Sequence, residues 1–441
     1  MNKIIIKIKK LIPKGLLNKL LPIYHYSLPL LGAIIYRFPS KKIKVVAVTG
    51  TKGKTSTVEF VNAILEKSGK KTALAGTLRF KISENSKPNL YKMTMPGRFF
   101  IQKFLRDAVK AGCEYAVIEI SSEAVKQYRN KFIDLNALIF TNLAPEHIES
   151  HGSYEKYVNA KLSIAKSLEK SGKTNKIIIS NIDDIEGKKF LDINIDNKIG
   201  YSLSEVSDIF LSEDKTKFTY KNIKFETKIL GKFNIYNILG AIKYAESEKI
   251  DLEIVKKALS EMDEIKGRVQ KIECGQDFKV IVDYAHTSDS LKAIYETFPN
   301  VTKIAVLGGC GGGRDKWKRK EMAEIADKYC DEIILTDEDP YEDDPMEIVL
   351  DLAKYFLNKK PEIILNRRDA IAKAFNKANV ILRPPRQNSG QEAQNNNNGV
   401  AVIITGKGTD PYIMRANGIK EKWSDAEVAR EELGKLLDVS C

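Results

Sequence analysis

No aspartate or glutamate occurs before Glu59, so the first 58 residues carry only positive and neutral side chains. That one-sided leader accounts for much of the net charge of +14, and nucleic acid is not expected as a partner. Long apolar runs are missing as well. The most hydrophobic stretch, Leu20 to Tyr36, is 17 residues long and contains Pro22, Pro29 and His25, short of the roughly 20 apolar residues a spanning helix needs. Cysteine is sparse: Cys113, Cys274, Cys310, Cys330 and Cys441 are widely scattered and form no C-x-x-C pair. No convincing cleavable signal peptide precedes them, so a reducing cytoplasm is the expected location. The spacing G-x-G-x-x-G is also absent, because the glycine run from Gly308 to Gly313 does not fit it, which leaves little support for an oxidoreductase.

A chain of 441 residues with 43% hydrophobic and 29% charged side chains is globular, and its length implies two or three domains. Apolar clusters at 4–6, 15–23 and 28–36 alternate with lysines in the leader. Such a cationic, partly amphipathic segment either packs on the protein as a helix or lies on an anionic membrane surface. From Lys44 the pattern changes to short β-branched runs at 45–48, 115–120, 137–140, 177–181, 280–282, 304–307, 332–335 and 400–404, with helical stretches between most of them. This alternation predicts an α/β fold with mostly parallel sheets. The tract from Arg383 to Gly399, with Pro384-Pro385 and Asn395 to Asn398, reads as a surface loop.

Gly50-Thr51-Lys52-Gly53-Lys54-Thr55-Ser56 falls where a predicted strand meets a predicted helix, the context a phosphate-binding loop requires. Glycines let backbone N–H groups close around phosphate oxygens, Lys54 neutralises the β- and γ-phosphates, and the Thr55 hydroxyl suits Mg²⁺. The general motif has a glycine two residues before Gly50, where this chain has Val48. The shorter form resembles the Mur ligase and folylpolyglutamate synthetase superfamily.

Further motifs follow in the order of the Mur ligase family: Glu119-Ile120-Ser121-Ser122, Asn142-Leu143, His147, His151-Gly152, Tyr157 and Lys161. The resemblance implies a catalytic group of Lys54, Glu119, His147 and Lys161. Thr55, Glu119, His147 and Lys161 would hold two Mg²⁺, with Lys161 carrying CO₂ as a carbamate. Glu119 and Thr55 suit Mg²⁺ on chemical grounds alone, whereas His147 is an unusual ligand for a hard cation. Without the family, Lys161 reads as a surface lysine and His147 as a core histidine. Glu146 and Glu123 depart from the family's usual Asp and His.

The stretch Gly231-Lys232-Phe233-Asn234 with Asn237, then Gly267-Arg268 and Asp283-Tyr284-Ala285-His286, is similar to family segments around ATP. It implies that Asn234, Asn237 and His286 lie near adenine, and Arg268 and Asp283 near phosphate and ribose. Thr94, Ser121, Gln127 and Arg129 match contacts to the muramoyl-peptide acceptor. Arg314, Gly406 and Asp410 match contacts to the incoming amino acid. The family's selector for diaminopimelate ends in an arginine, but here the tetrad is Glu338-Asp339-Pro340-Tyr341. An acidic tetrad without that bidentate partner favours a cationic side chain such as lysine's.

The resemblance therefore implies a central P-loop-type, mostly parallel domain over residues 45–266 that binds ATP. A Rossmann-like α/β domain at 267–441 would bind the amino acid, and the short basic segment 1–44 stands where the family has a UDP-binding domain. The expected activity is ATP-dependent amide ligation through an acyl phosphate, adding the third peptide residue, with L-lysine the candidate, to a UDP-N-acetylmuramoyl-L-alanyl-D-glutamate-type acceptor. A cytoplasmic enzyme with peripheral contact to the anionic inner membrane face is expected. Two alternatives stand beside this: a related ligase acting on a lipid-linked or other carboxylate acceptor, and a nucleotide-gated scaffold without turnover.

Overall fold

The computed structural model describes residues 14–146, 148–313, 316–382 and 399–441. They divide into two compact units, one of residues 14–205 with 236–258 and the other of residues 206–235 with 259–441.

The first unit is built on eight strands: β1 (Lys44–Thr49), β2 (Thr72–Ala75), β3 (Arg79–Ile82), β4 (Asn85–Pro88), β5 (Tyr115–Glu119), β6 (Ala137–Phe140), β7 (Ile177–Asn181) and β8 (Asn197–Tyr201). Their order is β4-β3-β2-β5-β1-β6-β7-β8, with β3 and β4 antiparallel and the rest parallel. Strands β1, β5 and β6 are covered on both faces, and for that reason they read as unbroken apolar runs such as Val45-Val46-Ala47-Val48. The chain builds outward from β1 first towards β5 and β2, then towards β6, β7 and β8. That reversal puts a crevice at the carboxyl ends of β1, β5 and β6, where open α/β sheets bind ligands.

The described part of the leader begins with a helix, Lys14–Ile35, with Pro22 and Pro29 inside it, and the apolar cluster at 4–6 lies outside the described residues. It packs on the helix Arg98–Lys110. The Tyr26 ring meets Phe132 edge-on at 5.2 Å, and the Arg98 guanidinium bonds the His25 ring. Ile23, Leu31, Ile34 and Ile35 on its outer side are 48–66% exposed. Among the described residues no helix is long and apolar enough to cross a membrane.

The second unit holds a three-stranded antiparallel sheet of β9 (Val206–Leu211), β10 (Thr216–Tyr220) and β11 (Ile223–Thr227). Its larger sheet contains β12 (Gln270–Lys271), β13 (Lys279–Val282), β14 (Thr302–Leu307), β15 (Glu332–Leu335), β16 (Glu362–Ile363) and β17 (Val400–Ile404), in the order β12-β13-β17-β14-β15-β16. All but β12 are parallel. Alternate residues of the same strands feed two apolar cores, Ile281 and Ala305 to one side, Val282 and Val306 to the other. The tract at 383–398 lies outside the described residues.

Cys274 and Cys441, 167 residues apart, are joined as a disulfide with their Cα atoms 5.2 Å apart, a pairing their spacing in the sequence does not announce and an exception to the expectation of unpaired thiols. Cys113, Cys310 and Cys330 are free.

A buried ion pair joins the starts of the helices Arg367–Leu382 and Asp425–Leu437 in this unit. Arg367 donates Nε and Nη2 to the two Asp425 oxygens at 2.8 and 2.7 Å, and also bonds the carbonyls of Thr405 and Asp337 at 2.7 and 3.2 Å. Both side chains are at most 1% exposed, so removal of either leaves a buried charge without its counter-ion, held only by neutral partners such as the Trp423 indole N–H on Asp425 at 2.8 Å. Arg367→Met is expected to lower unfolding stability by roughly 3–5 kcal/mol, read from the denaturant midpoint at unchanged slope. A loss below about 1 kcal/mol would show that the pair is not fully desolvated.

Candidate active site

At the end of β1 the chain turns through Gly50, with φ of 152°, and Gly53, with φ of 79°. Both positions are crowded. A Cβ on Gly50 would lie 1.9 Å from the Thr141 hydroxyl, and one on Gly53 would lie 2.0 Å from Asn237 Oδ1. Only glycine fits, and the second approach brings Asn237 onto the loop. The end of β6 holds the loop from beneath. Asn142 accepts the Lys52 N–H on Oδ1 at 2.9 Å and donates Nδ2 to the Lys52 carbonyl at 3.1 Å, while its own carbonyl accepts the Thr51 N–H at 2.8 Å. The Thr141 hydroxyl donates to the Lys52 carbonyl at 2.6 Å. Lys54 donates to the carbonyls of Gly50 and Thr51 at 3.0 and 2.9 Å. Thr55 and Ser56 begin the following helix and are buried.

Glu119 ends β5 beside Val48, and the next residue, Ile120, bonds the Val48 carbonyl at 2.9 Å. Its carboxylate is fully buried. Thr77 donates its N–H to one Glu119 oxygen at 3.0 Å and its hydroxyl to the other at 2.8 Å, and that hydroxyl is 3.1 Å from the Thr94 hydroxyl. A buried carboxylate held by two neutral donors is short of positive charge, which fits a cation there. Thr55 and Glu119 are hard oxygen donors suited to Mg²⁺. Among the described residues no group of three or more His, Cys, Asp or Glu forms a cation cage. His147 lies outside the described residues.

Lys161 projects from the helix Tyr154–Glu169, whose start is capped by Ser153 accepting the Lys156 N–H at 3.2 Å. At 1% exposure its amine donates to the Gly50 carbonyl and lies 4.8 Å from the Tyr157 ring centre. Burial, reinforced by Lys54, holds the Lys161 ammonium well below its ordinary range despite the opposing pull of Glu146. Glu146 is itself buried and pairs with Lys52 at 3.3 Å. Tyr157 reaches the Thr51 hydroxyl at 2.9 Å, so the same helix braces the loop from its far side.

The expected acceptor residues gather nearby. Arg129 donates to the Met95 carbonyl at 2.7 Å, fixing the segment that carries Thr94, and to Gln127 Oε1 at 2.6 Å. Ser121 caps a short helix by accepting the Ala124 N–H at 3.3 Å. Thr77 and Thr141 escaped the sequence reading. Single threonines carry no spacing signature, and only the close packing of Gly50 and Glu119 reveals them.

The second unit carries the other expected residues, with Asp283, His286, Glu338, Asp339, Gly406 and Asp410 after the carboxyl ends of β13, β15 and β17. Asp283 is spent on the backbone, accepting the N–H groups of Val269 and Ala285 at 2.7 Å each, and burial pushes its carboxyl up. Arg268 lies 4.7 Å from the Tyr284 ring, and His286 bonds the Tyr284 carbonyl at 2.7 Å. Asn234 donates to the Leu230 carbonyl at 2.7 Å. Glu338 is buried, and a Cβ on Gly406 would lie 2.5 Å from its carboxylate. Lys407, fully buried, bonds Asp339 at 2.8 Å and stands 3.4 Å from Asp410. Asp339 is thus neutralised within the protein and also accepts the Met414 N–H at 2.8 Å. Arg314 lies outside the described residues.

Residues 48–245 match the family model described as the Mur ligase middle domain, and residues 267–382 that of the Mur ligase glutamate ligase domain. The chain is 35% identical over 425 residues to the "UDP-N-acetylmuramoyl-L-alanyl-D-glutamate--2,6-diaminopimelate ligase" of Syntrophomonas wolfei, covering 93% of this chain and 82% of that protein. A ligase of the same name from Geobacillus kaustophilus is 32% identical, covering 92% and 81%. A solved structure of a ligase with that name superposes with a TM-score of 0.58 at 26% identity, covering 90% and 79%. The Mycobacterium tuberculosis folylpolyglutamate synthase, at 15% identity and a TM-score of 0.68 over 86% and 92%, shares the fold.

The state of Lys161 has a measurable signature. Unfolded, it takes up a proton below about 10.5, whereas the folded chain keeps it neutral to a lower pH. Between those two values the unfolded state binds more protons, so stability rises with pH. In CO₂-free buffer the protein should gain melting temperature across that window, and Lys161→Met should flatten the gain. Equal slopes for the two proteins would mean that Lys161 is protonated in the fold.

Proposed function

This chain belongs to the Mur ligase family, and we propose that it is the ATP-dependent ligase that adds the third peptide residue to a UDP-N-acetylmuramoyl-L-alanyl-D-glutamate-type acceptor in peptidoglycan precursor synthesis. The observation that carries this reading is the meeting of Lys54, Lys161 and the clamped glycine loop beside the buried carboxylate of Glu119. An amide does not form efficiently from a carboxylate and an ammonium ion. The acceptor carboxylate therefore takes the γ-phosphoryl group of ATP, giving an acyl phosphate and ADP. The neutral amine of the amino acid then attacks the acyl carbon, phosphate leaves, and the amine loses a proton.

Lys54 exchanges its loop carbonyls for phosphate oxygens and spreads charge during transfer, while the loop amides orient the nucleotide. Mg²⁺, held by Thr55 and Glu119 with His147 and Lys161, would supply electrostatic stabilisation of the phosphates. A neutral Lys161 amine is the form that would add CO₂, releasing one proton to solvent, and the carbamate would present anionic oxygens where an ammonium would repel a cation. In this reading residues 45–266 handle ATP and residues 267–441 the amino acid. Asn234, Asn237, Arg268, Asp283 and His286 serve the nucleotide, and Ser121, Gln127 and Arg129 the acceptor. Arg314, Glu338, Gly406 and Asp410 serve the amino acid.

Lysine is the proposed amino acid, because Tyr341 stands where a guanidinium would bind a distal carboxylate. The names of the relatives favour diaminopimelate instead. Phosphate release and product mass, measured with ATP, the UDP-linked dipeptide acceptor and either amino acid, decide between them. Lysine should support turnover at least about tenfold better. Lys54→Ala should reduce turnover by more than about 100-fold with an unchanged melting curve, and near-normal turnover would overturn the loop assignment.

The acid-free leader and the exposed Ile23, Leu31, Ile34 and Ile35 support a second, peripheral property, contact with an anionic membrane surface. Near such a surface each Lys or Arg contributes roughly 1 kcal/mol, screened by salt. The full chain should float with anionic but not neutral vesicles at low salt, and a chain starting at Lys41 should float with neither. If the full chain also stays off anionic vesicles, the leader is a packing helix alone.

A further inference from the structure

We propose that Thr77 is a positioning residue for ligation, joining Thr94 on the acceptor side to Glu119 on the metal side through a one-way chain of hydroxyl hydrogen bonds. The inference rests on reading Glu119 as a Mg²⁺ ligand and Thr94 as an acceptor contact. Glu119 is fully buried, and among the described residues its donors are the amide and the hydroxyl of Thr77, at 3.0 and 2.8 Å. Both carboxylate oxygens are therefore oriented by one residue. The turn that delivers it is closely fitted. A Cβ on Gly76 would stand 2.9 Å from a Glu119 oxygen, and Gly76 closes the turn by donating its N–H to the Arg79 carbonyl at 3.0 Å.

The direction of the chain follows from counting hydrogens. A hydroxyl has one proton, and an ionised carboxylate can only accept. Thr77 spends its proton on Glu119, so in the 3.1 Å contact between the two threonines Thr94 is the donor. Thr94 is then left with acceptor capacity only, which suits an N–H group of the acceptor peptide and not a carboxylate. Each bond in such a chain polarises the next, so an amide docked on Thr94 and a cation held by Glu119 influence one another through Thr77. Groups that orient a metal ligand typically matter 10- to 100-fold for metal affinity or activity.

The test uses the full chain with Mn²⁺ as probe, titrated calorimetrically in the presence of a non-hydrolysable ATP analogue, together with steady-state KM for the acceptor. Thr77→Val, which keeps shape and amide but lacks the hydroxyl, should weaken Mn²⁺ binding by about 10- to 100-fold and raise the acceptor KM. Thr77→Ser should restore both. Thr77→Ala serves the same purpose if the valine protein does not fold, as judged by its melting curve. Thr94→Val should raise the acceptor KM with a smaller effect on Mn²⁺. Glu119→Ala separates premise from proposal. If it leaves Mn²⁺ binding unchanged, the metal reading of Glu119 fails. If it abolishes binding while Thr77→Val and Thr77→Ser both behave like the parent protein, the role of Thr77 is overturned.

Discussion

The site depends on how closely the ends of neighbouring strands crowd the turn after β1. Gly50 has the Thr141 hydroxyl where a side chain would be, and Gly53 has the Asn237 carboxamide there. Because Asn142 bonds both the N–H and the carbonyl of Lys52, the loop's shape is fixed by its protein neighbours. Preorganisation of this kind lowers the ordering cost of binding and keeps donors aimed where charge develops.

That crowding also explains why a lysine can be buried. Lys161 reaches the Gly50 carbonyl from a helix braced through Tyr157 and Thr51, where burial and the nearby Lys54 push its ammonium well below its ordinary range. The helix start is pinned by its serine cap, which keeps the amine against the loop. A buried lysine with its ammonium disfavoured is costly as structure alone and marks a candidate functional position.

In the second unit, buried ion pairs shape the loops alongside glycines. Arg367 with Asp425 holds the end of β17 and the two helices that flank it, and Lys407 with Asp339 fixes the loop that follows β15. Charges so engaged are poor candidates for ligand contact. For this reason Asp339 serves the shape of this loop, whereas the buried Glu338 lies against Gly406.

Residue order alone determined the parallel α/β plan, since strands buried on both faces must be apolar throughout and eight such runs coincide with β1, β5, β6, β7, β13, β14, β15 and β17. It also determined the glycine turn between β1 and the following helix, because Gly50 and Gly53 have positive φ and no room for a side chain. Strands with mixed patterns were not legible: Asn85–Pro88 and Val206–Leu211 lie at exposed edges, where no core imposes a period. The leader shows both sides. Its apolar content was plain, but whether proline-bearing residues 14–35 fold as a helix was decided by the helix Arg98–Lys110 that receives them. Tertiary structure alone decided the pairing of Cys274 with Cys441 and the capture of Asp339 by Lys407. It alone revealed Thr77 under Glu119. Each of these joins residues far apart in the chain, and contacts between distant residues leave no periodic trace because the fold supplies the nearness, not the spacing.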